Sequence, residues 1–166
     1  VPLIPTPSHG SLPSGHATQA AAVSSVLMAL LDAAGTGLSH LEQRKRMVLA
    51  TGHRVAVNRT VAGVHYPIDS AAGFMIGLNV GRIIAALGQN SDTALTQFDY
   101  DPNVDAVKGA DFNLRDADAL FDPNLSTPLA GITATAKTVA APSPDSKFAW
   151  LWSRALEDIQ HLRASS

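Results

Sequence analysis

The stretch Leu12-Pro13-Ser14-Gly15-His16-Ala17-Thr18, continued by QAAAVSSVLMALLDAA to residue 34, decides how this chain is read. A Pro-Ser-Gly turn hands a histidine to the start of a long apolar run. Ser14 suits an N-cap, and Gly35 and Gly37 close the run, so a helix is predicted over 16–34. A helix start leaves backbone N–H groups free and aims the positive end of the dipole at them, which makes it an anion site. His16 adds a titratable imidazole beside that site. The run is apolar on most sides, so this helix should be central.

Upstream, prolines at 2, 5, 7 and 13 exclude a helix and predict an extended arm. The chain opens on Val1 and meets its most chemical motif within sixteen residues, which reads as a processed or truncated terminus with sequence missing before it. Downstream, Ser39-His40-Leu41-Glu42 fits the S-x-x-E capping box and predicts a second helix over about 40–62. Gly63 to Pro67 breaks it. Pro67-Ile68-Asp69-Ser70 begins a third, to about Leu87, with its acid in the first turn where the dipole favours it. Gly73, Gly77 and Gly81 leave one stripe of that helix bare, open to close approach by another helix or by a second copy of the chain in a homo-oligomer. Asp69, Asn79 and Arg82 interrupt its apolar run, so a buried helix is expected and no membrane span.

Composition supports helices. Apolar residues make up 46% of the 166 but aromatics only 5%, so the core must be Ala, Val, Leu and Ile. The net charge of −2 argues against nucleic acid as a partner, and the absence of cysteine removes disulfides and thiolate metal sites. Charge is divided unevenly. Residues 1–90 are net +3, residues 91–122 net −6 with eight Asp, and residues 123–166 net +1. The positive part carries the motif, which suits an anionic ligand. Three segments follow: oxyanion-binding helices over 1–90, an acidic and then Pro/Thr/Ala-rich loop region over 91–146, and a docking helix over 147–166 bearing Trp150 and Trp152, the whole forming one domain.

A second constellation lies in Arg59-Thr60-Val61-Ala62-Gly63-Val64-His65-Tyr66-Pro67-Ile68-Asp69. An Asp four residues beyond a His, across a Pro-fixed corner, can accept from one ring nitrogen and leave the other free as a nucleophile or ligand. Arg59 offers a fixed positive fork to a tetrahedral oxyanion. Read alone, His65 and Asp69 are more simply a structural pair and Arg59 a solvated charge. His9, His16, His53 and His65 lack zinc-site spacing, and Asp99 to Asp105 lack the Gly and Glu of a calcium loop.

Taken together, Pro13-Ser14-Gly15-His16 and the R-x5-H-x3-D of Arg59, His65 and Asp69 resemble the superfamily of type-2 phosphatidic acid phosphatases, bacterial acid phosphatases and vanadium-dependent haloperoxidases. The 41 residues between His16 and Asn58 fit the spacer, and the likeness covers about residues 5–85. It implies an all-α helical bundle, of which this chain is the carboxy-terminal half. It also implies roles: His65 attacks phosphorus or coordinates the vanadium of vanadate, Asp69 orients it, and His16 is the acid/base. Arg59, the Ser14 hydroxyl and the Gly15 N–H hold equatorial oxygens. Asn58 stands where the family usually has Ser.

The family's first motif, K-x6-R-P, is absent ahead of Pro13. Lys147 and Arg154 have its spacing but lie at the wrong end of the chain. The Lys and Arg it supplies are therefore expected from an amino-terminal half of the same protein or from a partner chain. Within the superfamily, His9 matches a histidine of bromide-oxidising haloperoxidases, or else is an exposed arm residue. The leading expectation is a vanadate-dependent haloperoxidase acting on halide with hydrogen peroxide. The alternatives are a phosphate monoester hydrolase working through phosphohistidine, without a cofactor, and a non-catalytic scaffold of the same fold. The expected protein is soluble, in the periplasm or secreted.

Overall fold

The computed structural model describes residues 10–35, 37–101, 103–104, 109–122, 124–140 and 146–164. Helix α1 spans Gly15–Ala34, α2 Leu41–Val61 and α3 Pro67–Gln89. After them come strand β1 (Thr93–Tyr100), helix α4 (Leu114–Phe121), strand β2 (Ile132–Val139) and helix α5 (Ser146–Ala164).

The three long helices begin and end where their punctuation dictates, with one exception. Ser14 caps α1, its Oγ accepting the Ala17 N–H at 3.3 Å, and Gly35 ends the helix at φ 78°. Pro67 opens α3. The exception is α2. Its cap is His40 in the left-handed region at φ 57°, without a side-chain bond, and the Ser39 carbonyl accepts from Arg44 Nε at 3.0 Å instead. The capping box expected from Ser39 and Glu42 does not form, because the helix starts one residue later than that box requires, with His40 at the cap position.

The glycine stripe of α3 lies against α1 of the same chain. A Cβ on Gly73 would meet the Ser14 carbonyl oxygen and Ala17 Cβ; one on Gly77, Thr18 and Ala21; one on Gly81, Ala22 and Ser25. The partners climb together, so α1 and α3 run parallel with both N-termini at one end. The stripe offered in sequence as a subunit contact is thus covered internally. Helix α2 returns antiparallel: Gly52 faces Ser24 and Ala20, and Lys45 reaches Asp32 at 2.8 Å. Its carboxy-terminal Arg59 therefore comes back to the end where α1 and α3 begin.

Around this trio the core gathers Ala17, Ala21, Leu49, Ala56, Phe74, Leu78, Phe112 and Leu120. Phe74 is fully buried and meets Phe112 edge-on at 5.1 Å. Truncating such a ring costs about 3–5 kcal/mol.

Two expectations are corrected here. The fold is not all-α, because β1 and β2 pair antiparallel from Thr93↔Val139 to Tyr100↔Ile132 where a loop was expected. TALTQFDY and ITATAKTV are rich in β-branched and aromatic residues, and Ile132, Ala134 and Ala136 alternate with Thr133, Thr135 and Lys137, but β2 is mostly exposed and two of its three alternating apolar residues are alanines, a weak mark of a half-buried strand. Helix α4 was also unread, although Asn113 and Asp116 cap it reciprocally at 3.1 Å each way. The hairpin is clamped to α3. Asn79 bonds both the carbonyl (2.8 Å) and the N–H (2.9 Å) of Thr96, and Arg82 donates to Thr96 Oγ1 and the Phe121 carbonyl at 2.8 Å each.

The second correction concerns membranes. Gly15–Ala34 and Pro67–Gln89 are both long and apolar enough to cross one, each holding an 18-residue stretch with a mean hydropathy of 1.4 and 1.5 respectively. The expectation of no membrane span is overturned. The polar interruptions of α3 do not prevent this, because Ile, Leu, Val and Ala outweigh them over such a stretch.

At the far end, Trp152 packs on Gly88, while Trp150 is 60% exposed, so one of the two tryptophans docks α5 and the other faces outward. Gly88 stands nineteen residues beyond Asp69, roughly 28 Å along the helix. Arg154, on α5, pairs with Glu157 at 2.6 Å.

Candidate active site

The site forms where α1 starts, α2 ends and α3 starts. Two parallel helices present their N-termini at one place, so two sets of free N–H groups and two positive dipole ends converge there. The two segments are joined by the backbone: the Ser14 N–H donates to the Asp69 carbonyl at 2.9 Å. Thr18 buttresses the turn, its hydroxyl donating to the Ser14 carbonyl at 3.0 Å.

Asp69 is 3% exposed at its side chain and does two jobs with one oxygen. Oδ2 accepts the Tyr66 N–H at 2.9 Å, which caps α3, and it lies 3.2 Å from His65 Nδ1. A carboxylate only accepts, so Nδ1 carries the proton in this pair and the other ring nitrogen, Nε2, is left with its lone pair.

His16 stands at the N-terminal end of α1, ahead of its apolar run. Partial desolvation, then the charges of Arg59 and His65, lower its pKa from the ordinary 6.5. Arg59, at the end of α2, and His65, just ahead of α3, thus act on His16 at the start of α1. Arg59 Nε is buried without a hydrogen-bond partner among the described residues. A buried guanidinium nitrogen left unpaired is costly, and an oxyanion would satisfy it. Gly15 adds a second sign. A Cβ there would meet nothing within 4 Å among the described residues, which leave open space over the turn. Ser14, by contrast, is fully buried as the cap of α1, and its hydroxyl proton is what it has left to offer a ligand. These groups fit a tetrahedral oxyanion such as phosphate or vanadate.

An apolar groove of about 490 Å³ leads away from His16 between α1 and α2, walled by Val23, Leu27, Met47 and Val55. Sequence reading did not find it, since its walls come from two antiparallel helices whose register only packing sets. His53 lies off the site, with Nε2 3.0 Å from the Phe112 carbonyl. His9 lies outside the described residues.

Comparisons with known proteins point the same way. The PAP2 superfamily model matches residues 2–92. Two curated relatives, the decaprenylphosphoryl-5-phosphoribose phosphatases of Mycobacterium tuberculosis strains CDC 1551 / Oshkosh and ATCC 25618 / H37Rv, are each 36% identical over 85 residues. That is 51% of this chain and 41% of each relative, so the match spans less than half of their length. No solved structure matches the chain. A phosphatase relative favours phosphatase over haloperoxidase. The family match takes in more than half of the chain and contains both segments that converge at the α1 and α3 N-termini, and on that footing the chain belongs to the PAP2 superfamily.

Proposed function

We propose that this protein is a phosphate monoester hydrolase working through a phosphohistidine. The observation that carries the reading is the His65–Asp69 pair, which leaves Nε2 of His65 free beside two helix N-termini and Arg59. In the first step Nε2 attacks phosphorus, the P–O bond to the alcohol breaks, and His16 gives its proton to the departing oxygen. Asp69 stabilises the charge that develops on the ring by holding Nδ1–H. In the second step His16 takes a proton from water, the water oxygen bonds phosphorus, the P–N bond breaks and phosphate leaves. Arg59, the Gly15 N–H and the Ser14 hydroxyl carry the oxygens throughout.

The groove at His16 is apolar, which supports a substrate whose alcohol bears a hydrocarbon part. The relatives' name, with its decaprenyl group, agrees with that chemistry. Vanadate would be held by the same groups, His65, Arg59, Ser14 and Gly15, and would supply there an inert copy of the phosphate oxygens. The haloperoxidase reading leaned on His9, and nothing in the described residues favours it.

The test uses the full-length protein with p-nitrophenyl phosphate. Turnover is expected, with a phosphoenzyme that is acid-labile and alkali-stable, and both vanish in His65→Ala. Turnover that survives His65→Ala, or an alkali-labile phosphoenzyme, refutes the reading.

A further inference from the structure

The two halves of the site meet only through how closely α3 approaches α1. The Ser14 N–H to Asp69 carbonyl bond, at 2.9 Å, is the tie, and Asp69 holds His65 with its side chain. One turn further along α3 sits Gly73. A Cβ there would stand 2.6 Å from the Ser14 carbonyl oxygen, 2.8 Å from Ala17 Cβ and 3.1 Å from the Thr18 nitrogen. All three are backbone or Cβ atoms, so no flexible side-chain end can yield. Ordinary contact lies at 3.4–4 Å, so the helices must part by roughly 1 Å at this point.

We propose that Gly73 is a positioning residue: its missing side chain sets the distance between the Ser14-Gly15-His16 turn and the His65–Asp69 pair. The proposal rests on the phosphatase reading for its effect on rate, and on the Ser14–Asp69 bond for its geometry. A nucleophile and its acid partner separated by about 1 Å from their working distance lose on the order of 10²-fold in rate. Gly81 supplies the control. A Cβ there would meet Ser25 Cβ at 2.5 Å and the Ala22 carbonyl oxygen at 2.6 Å, an equal crowding, but roughly 12 Å further from the site along α3.

The experiment compares Gly73→Ala and Gly81→Ala in the full-length protein. Melting temperature, kcat and KM on p-nitrophenyl phosphate, inhibition by orthovanadate, and hydrogen exchange of the Ser14 amide are measured. Both variants are expected to melt earlier by similar amounts. Gly73→Ala alone is expected to lose about 10²-fold in kcat with a smaller change in KM, to bind orthovanadate more weakly, and to lose protection at the Ser14 amide. Equal kcat losses in the two variants overturn the proposal, as does unchanged kcat in Gly73→Ala. An inactive wild type overturns the phosphatase reading instead, and Ser14 exchange then decides on positioning: protection kept in Gly73→Ala overturns it. Should Gly73→Ala not fold, Ala17→Ser pushes on the same contact more gently from the α1 side, and the same readouts apply.

Discussion

Replacing Asp69 by Asn separates its two jobs. The change is nearly isosteric at a side chain only 3% exposed, so packing is preserved. As a cap it should cost little. The Asn oxygen can still accept the Tyr66 N–H, and what is lost is the charge at the α3 N-terminus, worth about 1 kcal/mol. For 166 residues that corresponds to a fall in Tm of about 2–4 °C. As a partner of His65 it should cost more. The oxygen that accepts from Tyr66 is the one that faces Nδ1, so an Asn oxygen in its place keeps both bonds and the ring tautomer. What is lost is the negative charge that stabilises the ring as it turns positive on attacking phosphorus. A hydrogen bond to a charged group is worth about twice a neutral one, so a loss of about 10- to 10²-fold in kcat, or roughly 1.4–2.7 kcal/mol of barrier, is expected. The assay is p-nitrophenyl phosphate turnover beside a thermal melt of the same preparation. Asp69→Asn that keeps the wild-type kcat refutes the charge argument.

Two further outcomes are expected. Gly15→Ala fills space that the described residues leave empty, so Tm should hold or rise slightly while orthovanadate inhibition weakens at least about tenfold; unchanged inhibition means that no ligand uses that space. The lowered His16 pKa means that the free protein loses this proton below pH 6.5, so kcat/KM should fall as pH rises through that region. A bound phosphoryl dianion offsets the Arg59 and His65 charges and raises the His16 pKa, which moves the limb in kcat to higher pH. His16→Asn should flatten that limb in both profiles, and a limb that persists in the variant assigns it to another group.

Local chemistry made the termini of the three long helices readable. Ser14, Gly35 and Pro67 act within their own turn, so their effect is written in the neighbouring residues. The four-residue step from His65 to Asp69 across Pro67 likewise holds its geometry wherever it occurs, and the 3.2 Å pair follows from it. Where a signal depended on distant partners, reading failed. Ser39 looked like a cap, but the helix starts one residue later, behind a left-handed His40 that makes no side-chain cap bond. Strand β2 was hidden because its fixed register comes from β1, some thirty residues earlier, rather than from a buried face. Asn79 and Arg82 looked like interruptions of an apolar helix, and their reason is the edge of β1 and the end of α4.

By itself, then, the sequence determined which residue types stand at the site and in what order, because turn, cap and histidine–carboxylate spacing are short-range matters. Only the tertiary structure decided that Ser14 and Asp69 share a hydrogen bond, that Arg59 returns to His16, and that two helix N-termini face one point. The physical reason is packing. The parallel approach of α1 and α3 is set by where Gly73, Gly77 and Gly81 meet Ser14, Ala17, Thr18, Ala21 and Ala22, and such a fit between segments about sixty residues apart exists only once both helices have formed.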